Sequence, residues 1–228
     1  RWYYDHGSRS GDLGSCMSHE LTLFGSGTSR TMRAHWMLLE LGLDYESRSI
    51  QPRSGETLTE QFRRLNPRHK IPVLQHRSFV LTESAAIVQY LSDTFADKLK
   101  FYVPQDAQAR ASLNEWCYFI MTELDAASLY VVRRHEGLAS IYGEAPVAVD
   151  SGKAYFLHNL EAMTPRIGKT QYLFGELLST ADILLMSCLD WAFASGIPLS
   201  QATTDYRRMV SQRPAYQEAL KKNFQSLS

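Results

Sequence analysis

The spacing of apolar and polar residues predicts that the first part of the chain mixes strands and helices. Residues 20–24 alternate as in a strand, with Leu21 and Leu23 on one face. Helical spacing follows over 30–41, and Gly42 ends that helix as a C-cap. The pattern then predicts a strand over 45–50, a short helix over 57–65, strands over 71–74 and 79–81, and a helix over 85–95. The predicted order is β-α-β-α-β-β-α.

The second part of the chain shows no convincing strand pattern after Pro104. Helical spacing extends over 107–134, 147–166, 180–194 and 214–224. We therefore predict an α/β domain over 17–97, a linker over 98–105 and an all-helical domain over 106–228. The fold class is α/β plus all-α.

The segment 1–16 differs from the rest of the chain in composition. It is rich in Gly, Ser and Arg and lacks the apolar region of a secretory signal. Two interpretations remain open. Met17 could be the natural start, with extraneous sequence before it, or the segment could be a native flexible arm.

Composition and charge narrow the possible partners. The chain has 228 residues, 44% of them hydrophobic, and a formal net charge of +0, so it lacks the basic excess of nucleic-acid-binding proteins. The most apolar stretch, 181–194, is interrupted by polar residues and predicts a buried helix, not a membrane span. The three cysteines, Cys16, Cys117 and Cys188, are too few and too widely spaced for a disulfide framework or a metal cluster. A reducing compartment, the cytoplasm, fits best.

Three short motifs occur in order along the chain. They are Asn66–Leu74 (NPRHKIPVL), Leu81–Ile87 (LTESAAI) and Ser179–Asp182 (STAD). The first is similar to the Asn-Pro-x-x-Lys-[Val/Ile]-Pro-x-Leu run of the glutathione transferases, and the second to their Leu-x-Glu-Ser-x-Ala-Ile helix start. The third is similar to the Ser/Thr-x-x-Asp box that begins the core helix of their second domain. One motif alone would be modest evidence, but three at the family's spacing are specific.

The chain from about Glu20 onward therefore resembles the glutathione transferase family. This resemblance implies a thioredoxin-like N-terminal domain, a helical-bundle C-terminal domain and glutathione as co-substrate without a metal. It also implies a two-fold homodimer and a small hydrophobic electrophile as second substrate.

The residues of the first two motifs have a chemistry that suits glutathione. A proline held cis at Pro72 would turn the backbone groups of Ile71 toward an extended peptide, as at a sheet edge. Ser84, at the start of a helix, offers its hydroxyl and free N–H groups to a carboxylate. Glu83 can pair with an ammonium group. Alternatively, Pro72 only blocks a sheet edge, Ser84 is an N-cap and Glu83 is a solvated acid.

The third motif is interpreted as structural. Ser179 and Asp182 have the spacing of a capping box, in which each side chain accepts a hydrogen bond from the other residue's backbone. We expect this box to support folding and not chemistry.

Thiol activation is assigned to the loop after the first strand. A thiol with a pKa near about 8.5 needs help to ionise, and a hydroxyl or a helix N-terminus can supply it. The spacing Ser-x-x-Ser-Arg over 26–30 resembles the serine-using theta and zeta type classes, in which the first serine contacts sulfur. We therefore expect Ser26 to be catalytic, with Ser29 second and Thr28 third. A capping role is the alternative, above all for Ser29.

The remaining contacts follow from the resemblance. Lys70 is the expected partner of the glycine carboxylate of glutathione, with His69 and Arg53 as competitors. Thr57 stands where the theta-like pattern has a carboxylate-binding histidine, so this contact stays open.

An electrophile pocket is expected on the first long helix of the second domain. Its candidate residues are Tyr118, Met121, Tyr130 and Arg134. Methionine and aromatic residues at helical spacing are more often core than pocket, and Cys117 is interpreted as core for the same reason.

The leading hypothesis is an enzyme that conjugates glutathione to an apolar electrophile. A glutathione-dependent peroxidase or reductase and a non-catalytic binding module remain alternatives. The absence of tyrosine and cysteine from the loop over 25–30 argues against tyrosine-using classes and weakens a thiol-reductase reading.

Overall fold

A computed structural model of the chain describes residues 20–224 and contains one four-stranded sheet with the spatial order β2-β1-β3-β4. The strands are β1 (Leu21–Phe24), β2 (Glu46–Arg48), β3 (Val73–His76) and β4 (Phe79–Thr82). β1 runs parallel to β2 and antiparallel to β3, and β3 is antiparallel to β4. The predicted arm over 1–16 and the predicted start at Met17 lie outside the described residues.

Three helices complete the first part of the fold. They are α1 (Ser29–Glu40), α2 (Glu60–Leu65) and α3 (Ser84–Phe95), with a single 3₁₀ turn at Glu56–Leu58 before α2. Leu23 and Leu74 are paired across the sheet, and both are fully buried in one core with residues of α1 and α3. The thioredoxin-like N-terminal domain is confirmed.

The second part is helical from Ala107 onward. Its helices are α4 (Ala107–Phe119), α5 (Tyr130–Val132), α6 (Ala139–Tyr142), α7 (Pro146–Met163), α8 (Thr180–Ala194), α9 (Gln201–Ser211) and α10 (Pro214–Phe224). The sequence prediction did not include α9, whose buried face consists of Thr203, Tyr206 and Val210. No helix among residues 20–224 is long and apolar enough to cross a membrane.

The long helix predicted over 107–134 changes its winding after α4. Wide π-type turns cover Ile120–Leu129 and Arg133–Gly137, and the Tyr130 N–H donates to the Asp125 carbonyl five residues back. Within this segment the Ser128 hydroxyl also donates to the Glu123 carbonyl five residues back, at 2.5 Å. Side chains after this point therefore leave the register that regular helical spacing predicts.

α8 is the centre of the helical part and joins it to the first part. It buries most of its length and packs against α1 and α3, while α10 packs against α1. The predicted capping box at its start is confirmed, because the Ser179 hydroxyl accepts from the Asp182 N–H and Asp182 accepts from the Ser179 N–H. Asp182 also accepts bonds from the Leu173 N–H at 2.8 Å and the Tyr206 hydroxyl at 2.6 Å.

Candidate functional site

A cleft of about 440 Å³ opens where the two parts of the fold meet. One side is formed by the start of α1, the loop around Arg53 and the residues just before Pro72. The other side belongs to the helical part. It contains Arg133 and an apolar wall, which consists of Tyr130, Leu138, Ile141 and Tyr142.

The backbone at Ile71 lines this cleft with unused hydrogen-bonding groups. The Ile71–Pro72 peptide bond is cis. Among the described residues no hydrogen bond is made by the Ile71 N–H or C=O. Gly25 has a φ of 118°, and a Cβ there would lie 2.6 Å from the Cβ of Ile71, so the loop after β1 can approach this segment only as glycine. The geometry suits an extended peptide laid alongside Ile71.

Ser84 and Glu83 stand together at the N-terminus of α3. Arg33 donates from Nη1 to the Ser84 Oγ at 3.1 Å, which leaves the Ser84 hydroxyl proton free for a carboxylate ligand. Glu83 has a φ of 69°, an uncommon value for a residue with a Cβ, and its exposed carboxylate lies 3.0 Å from Arg68. Such conformations cluster at ligand sites.

A buried ion pair beneath Ser84 was not predicted from the sequence. Arg33 is fully buried and donates to Asp125 at 2.6 Å and to the Ser187 hydroxyl at 2.5 Å. Asp125 also pairs with Arg30. Burial alone would raise the pKa of Asp125, but the charges and hydrogen bonds of the two arginines hold it below its usual range. The pair ties the base of the Ser84 site to the helical part.

The three loop hydroxyls have different surroundings. Ser26 is 1% exposed, and its Oγ lies 2.7 Å from the Oγ of Ser49, away from the cleft lining. Thr28 lines the cleft and is the N-cap of α1, accepting from the Thr31 N–H at 3.0 Å. Ser29 lines an adjacent recess of about 380 Å³ on the other side of Thr28.

The hydroxyl proton of Thr28 can be donated outward. Thr31 lies 3.0 Å away through its Oγ1, but it can direct its own proton to the Thr28 carbonyl or to Asn223. A ligand atom at the helix N-terminus would therefore meet the Thr28 hydroxyl and the free N–H groups of the first turn.

Asn223 in α10 forms hydrogen bonds to the loop that precedes α1, and the sequence analysis did not identify it as a functional residue. Its amide donates to the Thr28 carbonyl at 3.0 Å, and its Oδ1 accepts from Thr31 at 2.7 Å and from the Gly27 N–H at 3.2 Å. The Gly27 N–H also donates to the Asn223 carbonyl at 2.8 Å. Nothing in the local sequence marks this residue, because its partners lie at the opposite end of the chain.

The three residues expected to compete for the glycine carboxylate of glutathione all lie at the cleft. Lys70, His69 and Arg53 all line the cleft. The His69 Nδ1–H donates to the Thr57 carbonyl at 2.8 Å, which fixes the ring beside Lys70. Thr57 is buried, and its uncharged side chain cannot form an ion pair with a carboxylate.

The four candidate electrophile residues do not lie together. Tyr130 lines the cleft, whereas Tyr118 is 60% exposed on the outer face of α4. The Met121 sulfur lies 3.1 Å from Nη1 of Arg33, and Met121 does not line the cleft. Arg134 stacks on Tyr142, with its Cζ 4.4 Å from the ring centroid, and does not line the cleft. Arg133 lines it instead, in keeping with the wide turns that shift this segment.

The described cysteines lie in the core. Burial raises the pKa of Cys117 to about 11 and that of Cys188 to about 12, so neither carries a reactive thiolate. Among residues 20–224, no group of three His, Cys, Asp or Glu side chains could hold a metal ion.

Comparison with known proteins decides the family. The family described as glutathione S-transferase, N-terminal domain, matches residues 19–93. Glutathione S-transferase D7 of Drosophila melanogaster is 31% identical over 176 residues, which cover 75% of this chain and 75% of that protein. The chain belongs to the glutathione S-transferase family.

Other glutathione S-transferases agree with this assignment. Glutathione S-transferase U28 of Arabidopsis thaliana is 29% identical over 72% of this chain and 68% of its own length. A glutathione transferase of Phanerochaete chrysosporium, solved with oxidized glutathione, superposes with a TM-score of 0.82 at 21% identity, covering 93% of this chain and 99% of that one. At that identity the likeness shows the fold, with its thioredoxin-like and helical parts.

Proposed function

We propose that this glutathione S-transferase conjugates the thiolate of glutathione to a small electrophile in the cleft beside Ile71. The observation that supports this most directly is that Ile71, with its free backbone groups, and the cations Lys70 and Arg53 line one cleft. The Ser84 hydroxyl, at the start of α3 and outside that lining, offers a further polar group for the γ-glutamyl end. The Phanerochaete glutathione transferase, which shares this fold, was solved with oxidized glutathione.

Glutathione would lie as an extended peptide along the segment before Pro72. Its cysteinyl unit would bond to the Ile71 backbone, and its γ-glutamyl carboxylate to Ser84 and the N-terminus of α3. Glu83 would pair with the γ-glutamyl ammonium. The glycine carboxylate would meet Lys70, with Arg53 next to it.

The thiolate would form at the N-terminus of α1. Because Thr28 lines the cleft and has a hydroxyl proton to donate, we place the sulfur beside it. The N-terminus of α1 contributes its positive end. Ser26, expected first from the loop spacing, is engaged with Ser49, and Ser29 faces the neighbouring recess. Both remain predicted candidates.

Once formed, the thiolate would attack an electrophile held against the apolar wall of the helical part. Conjugation fits better than thiol reduction, because the two described cysteines are buried with raised pKa values. A homodimer, expected from the family resemblance, and a cytoplasmic location, expected from the few scattered cysteines, are part of the same proposal. Size-exclusion chromatography with light scattering tests the dimer.

The activity is tested by retention on immobilised glutathione together with turnover of a panel of aryl halides and enals. We expect both retention and turnover. Retention without turnover of any electrophile would favour a binding module. Ser84→Ala should weaken retention by about tenfold, since a hydrogen bond to a charged group is lost. Ser78→Ala, in the exposed β3–β4 turn, is the matched control.

A further inference from the structure

The helical side of the cleft carries a cation without a carboxylate partner. Arg133 lines both the cleft and the adjacent recess, and its guanidinium stacks on Trp191, a residue of that recess, with the Cζ 5.7 Å from the ring centroid. Across the part of the chain that the structure describes, no carboxylate lies within ion-pair distance of Arg133. Asp125 is held by Arg30 and Arg33, and Glu136 pairs with Lys153 at 2.7 Å.

The opposite side of the cleft adds further positive charge. Arg53 and Lys70 line it, and neither forms an ion pair within residues 20–224. Burial, together with repulsion from Arg53 and Arg30, lowers the pKa of Arg133. Bound glutathione would bring one carboxylate, that of its glycine, to Lys70 and Arg53. Its other carboxylate would lie at Ser84, so the charge of Arg133 would stay unmatched.

We propose that the second substrate carries a carboxylate that binds Arg133, on an aromatic or aliphatic body that packs on the apolar wall. The inference rests on the proposed function and narrows its electrophile to an anionic class. It also revises the wholly apolar electrophile expected from the sequence. A guanidinium binds a carboxylate through two parallel N–H···O bonds. The ring of Trp191 packs against the Arg133 guanidinium from the adjacent recess.

The protein should therefore prefer anionic substrates over neutral ones, and this preference should depend on Arg133. A neutral electrophile leaves a half-buried cation without a partner, whereas a carboxylate satisfies it. A hydrogen-bonded charge pair of this kind discriminates by about tenfold or more.

The test compares two aryl chlorides of the same shape, 4-chloro-3-nitrobenzoate and 4-chloro-3-nitrobenzamide. In both, the glutathione thiolate forms a carbon–sulfur bond and chloride leaves with the bonding electrons. Each kcat/KM is divided by the uncatalysed rate constant with glutathione, which removes their difference in intrinsic reactivity. We expect the benzoate to be preferred by about tenfold or more.

Variants locate the origin of that preference. Arg133→Gln should lower kcat/KM for the benzoate about tenfold and leave the benzamide within about twofold, while Arg133→Lys should retain part of the preference. Arg208→Gln removes one charge from the surface of α9, where Arg208 pairs with Asp205, and should leave both values unchanged.

A binding measurement separates this inference from the proposed activity. The glutathione thioethers formed from the two chlorides are titrated calorimetrically against the same proteins. Tighter binding of the carboxylate thioether, lost in Arg133→Gln, supports the inference even if neither chloride is turned over, a result that would overturn only the enzymatic proposal. Equal affinities, or an equal loss of both in Arg133→Gln, would overturn the inference even in an active transferase.

Discussion

The side-chain amide of Asn223 donates to the carbonyl of Thr28 at 3.0 Å, although the two residues lie 195 positions apart in the sequence. The contact joins the last described helix, α10, to the loop that begins α1. The conformation of the proposed thiol-binding loop therefore depends on the C-terminal helix as well as on the loop's own capping box.

Asn223→Ala should lower kcat about tenfold with little change in the KM for glutathione, because it loosens the loop without touching the Ile71 and Ser84 contacts. Asn223→Asp should also raise the pKa of bound thiol, since it places a negative charge behind Thr28. Steady-state kinetics over a pH series measures both. Asn159→Ala, which removes an exposed amide that donates to the Tyr155 carbonyl at 2.8 Å, is the control and should leave kcat unchanged.

Asp125→Ala should lower the free energy of unfolding by about 3–5 kcal/mol, because it leaves the fully buried Arg33 unpaired. It should also raise the KM for glutathione, since Arg33 supports Ser84. Urea unfolding and kinetics measure the two effects. Asp93→Ala removes an exposed partner of Arg110 and should cost no more than about 1 kcal/mol. Similar costs for both variants would contradict the role of the buried pair.

Asp182→Ala should lower the free energy of unfolding by at least about 2 kcal/mol, since it leaves the N–H groups of Leu173 and Ser179 and the Tyr206 hydroxyl without an acceptor. Asp106 caps α4 at an exposed position, accepting from the Ala109 N–H at 2.8 Å. Asp106→Ala should cost only about 1 kcal/mol. Equal thermal shifts in the two variants would show that Asp182 is no more than an ordinary cap.

His35 should make stability depend on pH. Burial lowers its pKa from 6.5 to about 4, and in the neutral ring Nε2–H donates to the Gly25 carbonyl while Nδ1 accepts from Tyr45. The unfolded chain takes up this proton below about pH 6.5, whereas the folded protein takes it up only near pH 4. Stability should therefore fall by about 3 kcal/mol as the pH drops between these values, and stay constant above them.

His35→Gln is neutral throughout this range and should unfold with a shallower acid dependence than the natural protein. Urea unfolding at several pH values between about 4 and 7 makes the comparison. Parallel pH profiles for the two proteins would show that His35 does not titrate as its buried position requires.

The parts of the site that could be predicted from the sequence are those with local requirements. The bend at Pro72, the helix start at Ser84 and the capping box of Ser179 each depend on a few neighbouring residues, so short motifs specify them. Arg133 could not be predicted in the same way. The wide turns before it change which residue of a long helix reaches the cleft, and helical spacing pointed to Arg134 instead.

Contacts between distant segments also could not be predicted from the sequence. Asn223 and Asp125 act through partners near the other end of the chain, and no local pattern distinguishes them from other polar helix residues. Ser26 shows the converse. Its spacing in the loop resembles a catalytic serine, but tertiary packing brings its hydroxyl against Ser49.

The central claim is that the N-terminus of α1, with the Thr28 hydroxyl, stabilises the glutathione thiolate in this cleft. The ultraviolet absorbance of the thiolate, followed as a function of pH in the binary complex, tests it most directly. We expect bound glutathione to ionise at least one unit below the pKa of about 8.5 of a free thiol. Thr28→Val should reverse most of that shift and Ser26→Ala should not. A bound thiol that titrates like free glutathione, or one unaffected by Thr28→Val, would contradict the account.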